Sequence, residues 1–306
     1  MQAKVTIGVC VKNGEDYIGD AITSINGQDF PHELMEVIFV DDGSKDKTLS
    51  IIESHVPTMK MKAMVFHQDW KGLGAARNVI VNNANSEYIV WVDCDMRLSR
   101  GFVRKQVEFM NKNQNVGIAK GRYGLYDSTS LVAYLENIGA IVEYLNYEQK
   151  KLSKPLGTGG CIYRVEAIRK IGGFDENIKG VGEDMDVEHR IRKAGWILKI
   201  TDTEFYEMRR TSWKALWNEY FWHGSGGQFI SNEVRPKYVL YKTFPPAAFL
   251  IEFYLACTAY ELVHKNVVFL LPFHWIFKRL AWCLGFVTSY VRTNGPSLES
   301  NSVIYK

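Results

Sequence analysis

The segment YIVWVDCDM, residues 88–96, decides how this chain is read. Tyr88 to Val92 is a short run of β-branched and aromatic residues, as a buried strand requires. It closes on Asp93-Cys94-Asp95. Two carboxylates at i and i+2 of an extended chain lie on one side, and a turn lets both reach one cation. Hard oxygen ligands of this kind suit Mg²⁺ or Mn²⁺, which neutralise a diphosphate. Asp-x-Asp by itself reads equally well as a solvated turn. Its place at the end of a buried strand is what favours chemistry.

Upstream the same arrangement recurs. Val5 to Val11 is an apolar run ending at Lys12-Asn13-Gly14, and Asp16 to Ile25 follows with helical spacing. Val37 to Val40 is a second strand, closed by Asp41-Asp42-Gly43-Ser44 and followed by a helix over Lys47 to His55. Ala63 to Phe66 is a third strand, with a helix over Gly74 to Asn83. This βα alternation predicts a mostly parallel sheet with helices on its faces. Ligands bind such sheets beyond the carboxyl ends of the strands, where the polar clusters Asn13–Glu15, Asp41–Ser44 and Asp93–Asp95 fall.

From about residue 115 the alternation becomes irregular. Leu131 to Tyr147 reads as a helix, Cys161 to Arg164 as a strand after Gly157-Thr158-Gly159-Gly160, and Ala167 to Ile171 as a helix stopped by Gly172-Gly173. Asp184 to Ala194 is an amphipathic helix, and Ile197 to Ile200 another strand. Between Thr243 and Val291 only Glu252, Glu261, Lys265, Lys278 and Arg279 are charged, about half the density of the whole chain. The longest uncharged runs there are 12 residues, short of the ~18–20 of a membrane span. Pro245, Pro246 and Pro272 argue against one straight helix. The expectation is membrane-associated helices or a short hairpin, with a packed helical subdomain as the alternative.

Composition narrows the partners. Lys plus Arg number 37 against 34 Asp plus Glu, and no basic block occurs, so no nucleic acid is expected. The five cysteines are widely spaced, with no Cys-x-x-Cys, which argues against disulfides and structural zinc. Met1-Gln2-Ala3-Lys4 leads straight into a strand with no apolar signal region, so the catalytic part is expected on the cytoplasmic side.

Other motifs carry chemistry less specifically. The carboxylates of residues 41–44 can accept from a base or ribose, or simply cap the next helix. Acidic residues in Gly182-Glu183-Asp184-Met185-Asp186 suit a helix N-terminus by its dipole, or supply a general base. KGLGAARN, residues 71–78, could be a damaged dinucleotide fingerprint, but it follows the third strand and has Arg77 where a small residue belongs. A glycine turn bringing Lys71 and Arg77 to phosphate is the better reading.

Taken in order, VTIGVCVKNGEDYI, VIFVDDGSKDKT, KGLGAARN, YIVWVDCDM, GGFDE and GEDMDVEHRIRKAGW resemble the family 2 glycosyltransferases with the GT-A fold, over roughly residues 4 to 230. The resemblance implies a Rossmann-like mixed α/β sheet flanked by helices, and an inverting transfer from a nucleotide-diphosphate sugar. It implies that Val11, Asn13 and Glu15 line the nucleotide pocket, that Asp42 contacts the base or ribose, and that Lys71 and Arg77 lie near the nucleotide. Asp93 and Asp95 would hold Mg²⁺ or Mn²⁺, with Asp95 the more direct ligand, and Asp184 would be the base. Glu183, Gly159, Arg209 and Arg210 fall on the acceptor or diphosphate side. Cys10 departs from the usual proline, and residues 204–210 lack the histidine many relatives carry, with Glu207 as a substitute. Arg209-Arg210-Thr211-Ser212-Trp213 lacks the glutamine of processive synthases, so processivity is not supported.

These readings give a GT-A catalytic domain over residues 1–235 and a C-terminal hydrophobic helical extension over 236–306. The expected partners are a nucleotide-sugar donor, a lipid-linked or saccharide acceptor and the membrane surface, at the cytoplasmic face. The rival readings are an NAD(P)-dependent Rossmann oxidoreductase, opposed by the missing first-strand fingerprint, and a non-catalytic nucleotide-sugar-binding homologue.

Overall fold

Val5–Val11 (β1) pairs in parallel with both Met35–Asp42 (β2) and Tyr88–Trp91 (β4), and Lys62–Gln68 (β3) extends the sheet beyond β2. The register sets Val11 against Asp41 and Asp42 against Gln68. Beyond β4 the sheet changes direction. Cys161–Arg164 (β7) is antiparallel to β4 and to Val116–Tyr123 (β6). Ile197–Glu207 (β8) runs parallel to β6, and Met96–Leu98 (β5) closes the edge antiparallel to β8. The order of the eight strands is β3-β2-β1-β4-β7-β6-β8-β5. This computed structural model describes residues 3–126, 128–150, 156–178, 181–225 and 245–294.

Apolar residues bury both faces of the sheet. In β2, MEVIFVDD, every residue is buried. Val37 and Phe39 pack on one face, Ile38 and Val40 on the other, as the two-residue period of a strand dictates. The first face is covered by Ile18–Asn26 (α1), Thr48–His55 (α2) and Phe102–Lys112 (α4), through Ile18, Ile22, Ile25, Ile52, Phe102 and Val107. The second is covered by Leu73–Asn83 (α3), Val165–Lys170 (α6) and Glu183–Lys193 (α7), through Ala76, Ile80, Ile168, Val187 and Ile191. The expected strands and helices of the first 95 residues lie within two residues of the observed bounds. The strand expected over Ile197–Ile200 runs on to Glu207, because it is zipped to β6 on one side and β5 on the other.

The chain divides into two compact units, residues 1–124 with 150–208 and residues 125–149 with 209–306. The sheet belongs to the first. The second contains Leu131–Lys150 (α5), Trp213–Ser225 (α8), Pro245–Val263 (α9) and Leu271–Asn294 (α10). The boundary expected near residue 235 lies outside the described residues. In this unit Tyr134, Leu135, Ile138 and Val142 of α5 form a core with Leu255, Ala256 and Ala259 of α9 and with Val268 and Leu271. A buried carboxylate, Glu136, accepts Tyr220 Oη at 2.6 Å and Lys278 Nζ at 2.8 Å. Against the burial that would raise it, Lys278, Arg209 and His274 hold this carboxyl at about 2.

The tail is not one straight helix: α9 ends at Val263 and α10 begins at Leu271, and Pro245, Pro246 and Pro272 lie at helix starts. Pro245 and Pro246 open α9, and Pro272 is the second residue of α10, where a missing N–H costs no helical hydrogen bond. Residues Asn266–Val291 are therefore long and apolar enough to cross a membrane by length and composition, in place of the two short runs read from the sequence.

Phe39 is completely buried on β2, an interior strand of the sheet. Phe39→Ala should cost about 3–5 kcal/mol of folding free energy, measured by denaturant titration, from lost burial and the cavity left behind.

Candidate active site

The carboxyl ends of β1, β2 and β4 bring three loops together. The loop after β1 is clasped to the loop after β2 by side chains. Asn13 N donates to Ser44 Oγ at 2.9 Å, and Lys45 N donates to Asn13 Oδ1 at 2.8 Å. Gly14 N donates to Thr48 Oγ1 at 2.8 Å, and Lys47 N donates to Glu15 Oε2 at 3.0 Å. Asn13 and Glu15, both exposed, thus spend hydrogen bonds on fixing the rim that the sequence assigns to the nucleotide.

Asp42 is similarly engaged. Its Oδ1 accepts Gln68 Nε2 at 2.7 Å and Lys71 N at 2.9 Å, and its Oδ2 accepts Gly72 N at 3.0 Å. Asp42 is nearly buried, so it anchors the turn that opens α3. Its neighbour Asp41 is fully buried and accepts His67 Nδ1 at 2.8 Å and Ser44 N at 3.2 Å. The Lys71 side chain is exposed above this turn.

Arg77, in the first turns of α3, is buried and does not point into open solvent as a simple phosphate ligand would. It forms an ion pair with the equally buried Glu183 of α7, lies 5.4 Å over the Phe174 ring and stands 3.9 Å from Asp93 Oδ1. The motif GGFDE supports this pair. Asn78, next to Arg77, accepts Phe174 N at 2.8 Å and donates to Phe174 O at 2.9 Å and Glu176 Oε1 at 2.8 Å.

Asp93 is the accessible carboxylate of the group, with 42% of its side chain exposed. Asp95 is half-buried, and its carbonyl accepts Met208 N at 2.8 Å, which ties it to the end of β8 beside Glu207. Gly159 lies directly against Asp93: a Cβ there would fall 2.2 Å from Met96 Cε and 2.4 Å from Asp93 Oδ2, so any side chain would force the Met96 or Asp93 side chain to shift. Among the described residues no three His, Cys, Asp or Glu side chains converge as a metal cage. Two hard carboxylates fit Mg²⁺ or Mn²⁺ that takes its other ligands from water and substrate phosphate.

Asp184 follows Glu183 on α7, half-buried, with Oδ1 accepting Met185 N at 2.8 Å. Glu183 is pushed up to about 7 by burial and by the Asp184 charge, against the pull of Arg77. Two further buried residues join the group. Glu188, one turn beyond Asp184, accepts Gly157 N at 2.8 Å, and Lys120 of β6 donates to Leu156 O. Burial, then Asp184, pushes the Glu188 carboxyl up to about 8. The sequence reading missed Lys120, Glu188 and Asn78. The signal was present: Lys120 is a charge in the buried part of a strand, and Glu188 shares the helical face of Asp184 at i+4.

The structure thus brings Asp93, Arg77, Glu183, Asp184 and Gly159 into one unit. Arg209 and Arg210 belong to the other, where Arg210 Nε pairs with Glu219 Oε2 at 3.2 Å.

An α/β sheet of this order, with its acidic groups at the carboxyl edge, defines a GT-A fold. The mannosyltransferase PcManGT of Pyrobaculum calidifontis, solved with GDP-Man and Mn²⁺, superposes with a TM-score of 0.67 at 16% identity, covering 95% of this chain and 88% of that one. Staphylococcus aureus TarS residues 1–349 with UDP-GlcNAc gives a TM-score of 0.52 at 17% identity, covering 94% and 91%. The Glycosyl transferase family 2 profile matches residues 6–172, and the chain belongs to that family. It is 30% identical over 112 residues to the poly(ribitol-phosphate) β-N-acetylglucosaminyltransferase TarS of S. aureus strain Mu50, covering 37% of this chain and 20% of TarS. It is 31% identical over 185 residues to the glycosyltransferase RT0329 of Rickettsia typhi, covering 57% of this chain and 54% of the relative. The chain therefore spans about a fifth to a half of the length of these two relatives. Family membership removes the oxidoreductase reading.

The raised Glu188 carboxyl makes stability depend on pH. Folded, it keeps its proton to about pH 8; unfolded, only to its ordinary 4.5. The folded state binds more protons in that window, so this contribution is full below 4.5 and is lost as pH rises through 8. The denaturation midpoint should fall as pH rises from 4.5 to about 8, and Glu188→Gln should flatten that fall.

Proposed function

We propose that this chain transfers a sugar from a nucleotide-diphosphate sugar to an acceptor hydroxyl with inversion at the anomeric carbon. The observation that carries the reading is the grouping of the half-buried carboxylate Asp184 with the accessible carboxylate Asp93 at the carboxyl edge of the sheet. The family match and the nucleotide-sugar complexes of the two structural neighbours support a UDP- or GDP-linked donor.

On this reading the rims held by Asn13, Glu15 and Asp42, with Val11 at the end of β1, cradle the nucleotide. Lys71 stands over the same turn. Asp93 and Asp95 hold Mg²⁺ or Mn²⁺, which when bound offsets charge on the diphosphate. Asp184 accepts the proton of the acceptor hydroxyl as its oxygen bonds to the anomeric carbon and the bond to the diphosphate breaks. One base and one displacement invert the centre. Buried Arg77 and Glu183 keep the base and the Asp93 end in register.

Release of UDP or GDP from a panel including UDP-GlcNAc and GDP-mannose tests this. Asp184→Asn should keep donor binding and lose ~10²–10⁴-fold in turnover. Asp95→Ala, or EDTA, should abolish turnover with the fold intact. Undiminished release in Asp184→Asn means another group is the base, and full activity in EDTA removes the metal.

The acceptor proposed is lipid-linked or saccharide, met at the cytoplasmic face of the membrane. Phe253, Tyr254 and Leu262 of α9 and Phe273, Leu280, Leu284, Val287 and Val291 of α10 are exposed apolar side chains. Leaving so many in water is costly at ~25 cal/mol per Å². The full chain should sediment with anionic vesicles and be released by detergent rather than by salt. A monodisperse chain that ignores vesicles would sink the membrane reading.

A further inference from the structure

Leu156 and Gly157, just before β7, are suspended almost entirely by side chains. Both of their N–H groups donate to one oxygen, Glu188 Oε1, at 2.5 and 2.8 Å. The Leu156 carbonyl accepts Lys120 Nζ, and the Gly157 carbonyl accepts Cys161 Sγ at 3.0 Å. Four backbone groups of two residues are thus taken by β6, α7 and β7. Lys120 and Glu188 are 2% and 3% exposed, a burial that charged residue types rarely show.

The position of this strap connects it to the chemistry. A Cβ on Gly157 would stand 3.5 Å from Asp184 Oδ2 and 3.7 Å from Lys120 Nζ. Two residues on, Gly159 abuts Asp93, and Gly160 N is fixed to Trp91 O at 3.0 Å. The strap therefore runs from the candidate base to the end of β4.

We propose that Glu188 and Lys120 are positioning residues, holding the Leu156–Gly160 strap so that the Asp184 carboxylate and the Asp93 end keep their spacing. The inference rests on the proposed transfer with Asp184 as base. Neither side chain touches the reacting atoms; each acts through the strap backbone. The raised Glu188 carboxyl agrees with this, since burial and the Asp184 charge favour its neutral form. A neutral carboxyl still accepts two N–H bonds, so its holding function survives protonation.

The test is steady-state release of UDP or GDP by the full chain with Mn²⁺, from UDP-GlcNAc or GDP-mannose, whichever it turns over. Glu188→Gln retains the accepting oxygen and should keep kcat within about threefold. Glu188→Leu removes it and should lower kcat about 10–100-fold, with KM for the donor within about twofold, as expected when reacting groups are misplaced but binding is not. Lys120→Met should show the same split, and serves if Glu188→Leu does not fold by circular dichroism. Wild-type kcat in Glu188→Leu or Lys120→Met, a loss confined to KM, or a Gln variant as slow as Leu would overturn the proposal. Asp184→Asn is measured alongside. If it turns over normally, the base assignment fails; if it is inactive while Glu188→Leu is normal, only the strap inference fails.

Discussion

Arg77 carries a guanidinium that cannot be neutralised by losing a proton, and the fold takes it out of water. A buried charge persists only with a partner in direct contact, and Glu183 is that partner. The pair joins the start of α3 to the start of α7, with Phe174 beneath the guanidinium and Asp93 3.9 Å away. Removing either member would leave the other buried and unpaired, so the two helix starts cannot drift independently. Glu183 and Asp184 are consecutive, and consecutive helical side chains diverge by ~100°. Turning Glu183 inward to Arg77 therefore turns Asp184 away toward the open edge of the sheet.

The same economy governs the loops. Asp42, Asn13 and Glu15 belong to motifs that read as ligand contacts, yet each first serves the protein's own backbone. A carboxylate has about four acceptor positions, and Asp42 uses three on Gln68, Lys71 and Gly72. The rim is consequently stiff before any ligand arrives. A site that is already ordered loses less conformational entropy on binding. Residues of one motif can thus serve as frame and contact at once.

What the sequence made legible follows from locality. β1, β2 and β4 are continuous apolar runs because both faces are covered, and each ends on a polar cluster, so period and punctuation agree. The antiparallel half was harder to read. β5 is three residues long and exists because β8 offers it an edge, which no local pattern announces. Arg77 reads locally as a phosphate ligand in a glycine turn, whereas the ion pair it makes in the fold is with Glu183, 106 residues away. Lys120 and Glu188 find the strap 36 and 32 residues away. Pro272 was legible as a boundary, and it falls at the start of α10, where Leu271 and Val268 are drawn into the core of the second unit.

The donor set at the end of β4 has a thermodynamic consequence. Asp93 and Asp95 offer two carboxylates, whereas Mg²⁺ and Mn²⁺ fill their coordination spheres with oxygen ligands from water and phosphate as well. On the proposed reading, the diphosphate supplies what the protein does not. Donor and cation then bind with a mutual coupling: whatever factor the donor adds to cation affinity, the cation adds to donor affinity. The nearby Arg77 is already matched by Glu183, so its net contribution to the diphosphate is small. On that reading the charge of the leaving group would be offset chiefly by a cation held by Asp93 and Asp95. If Asp93 and Asp95 hold the cation as proposed, its affinity and that of the nucleoside diphosphate would rise and fall together, coupling product release to those two carboxylates.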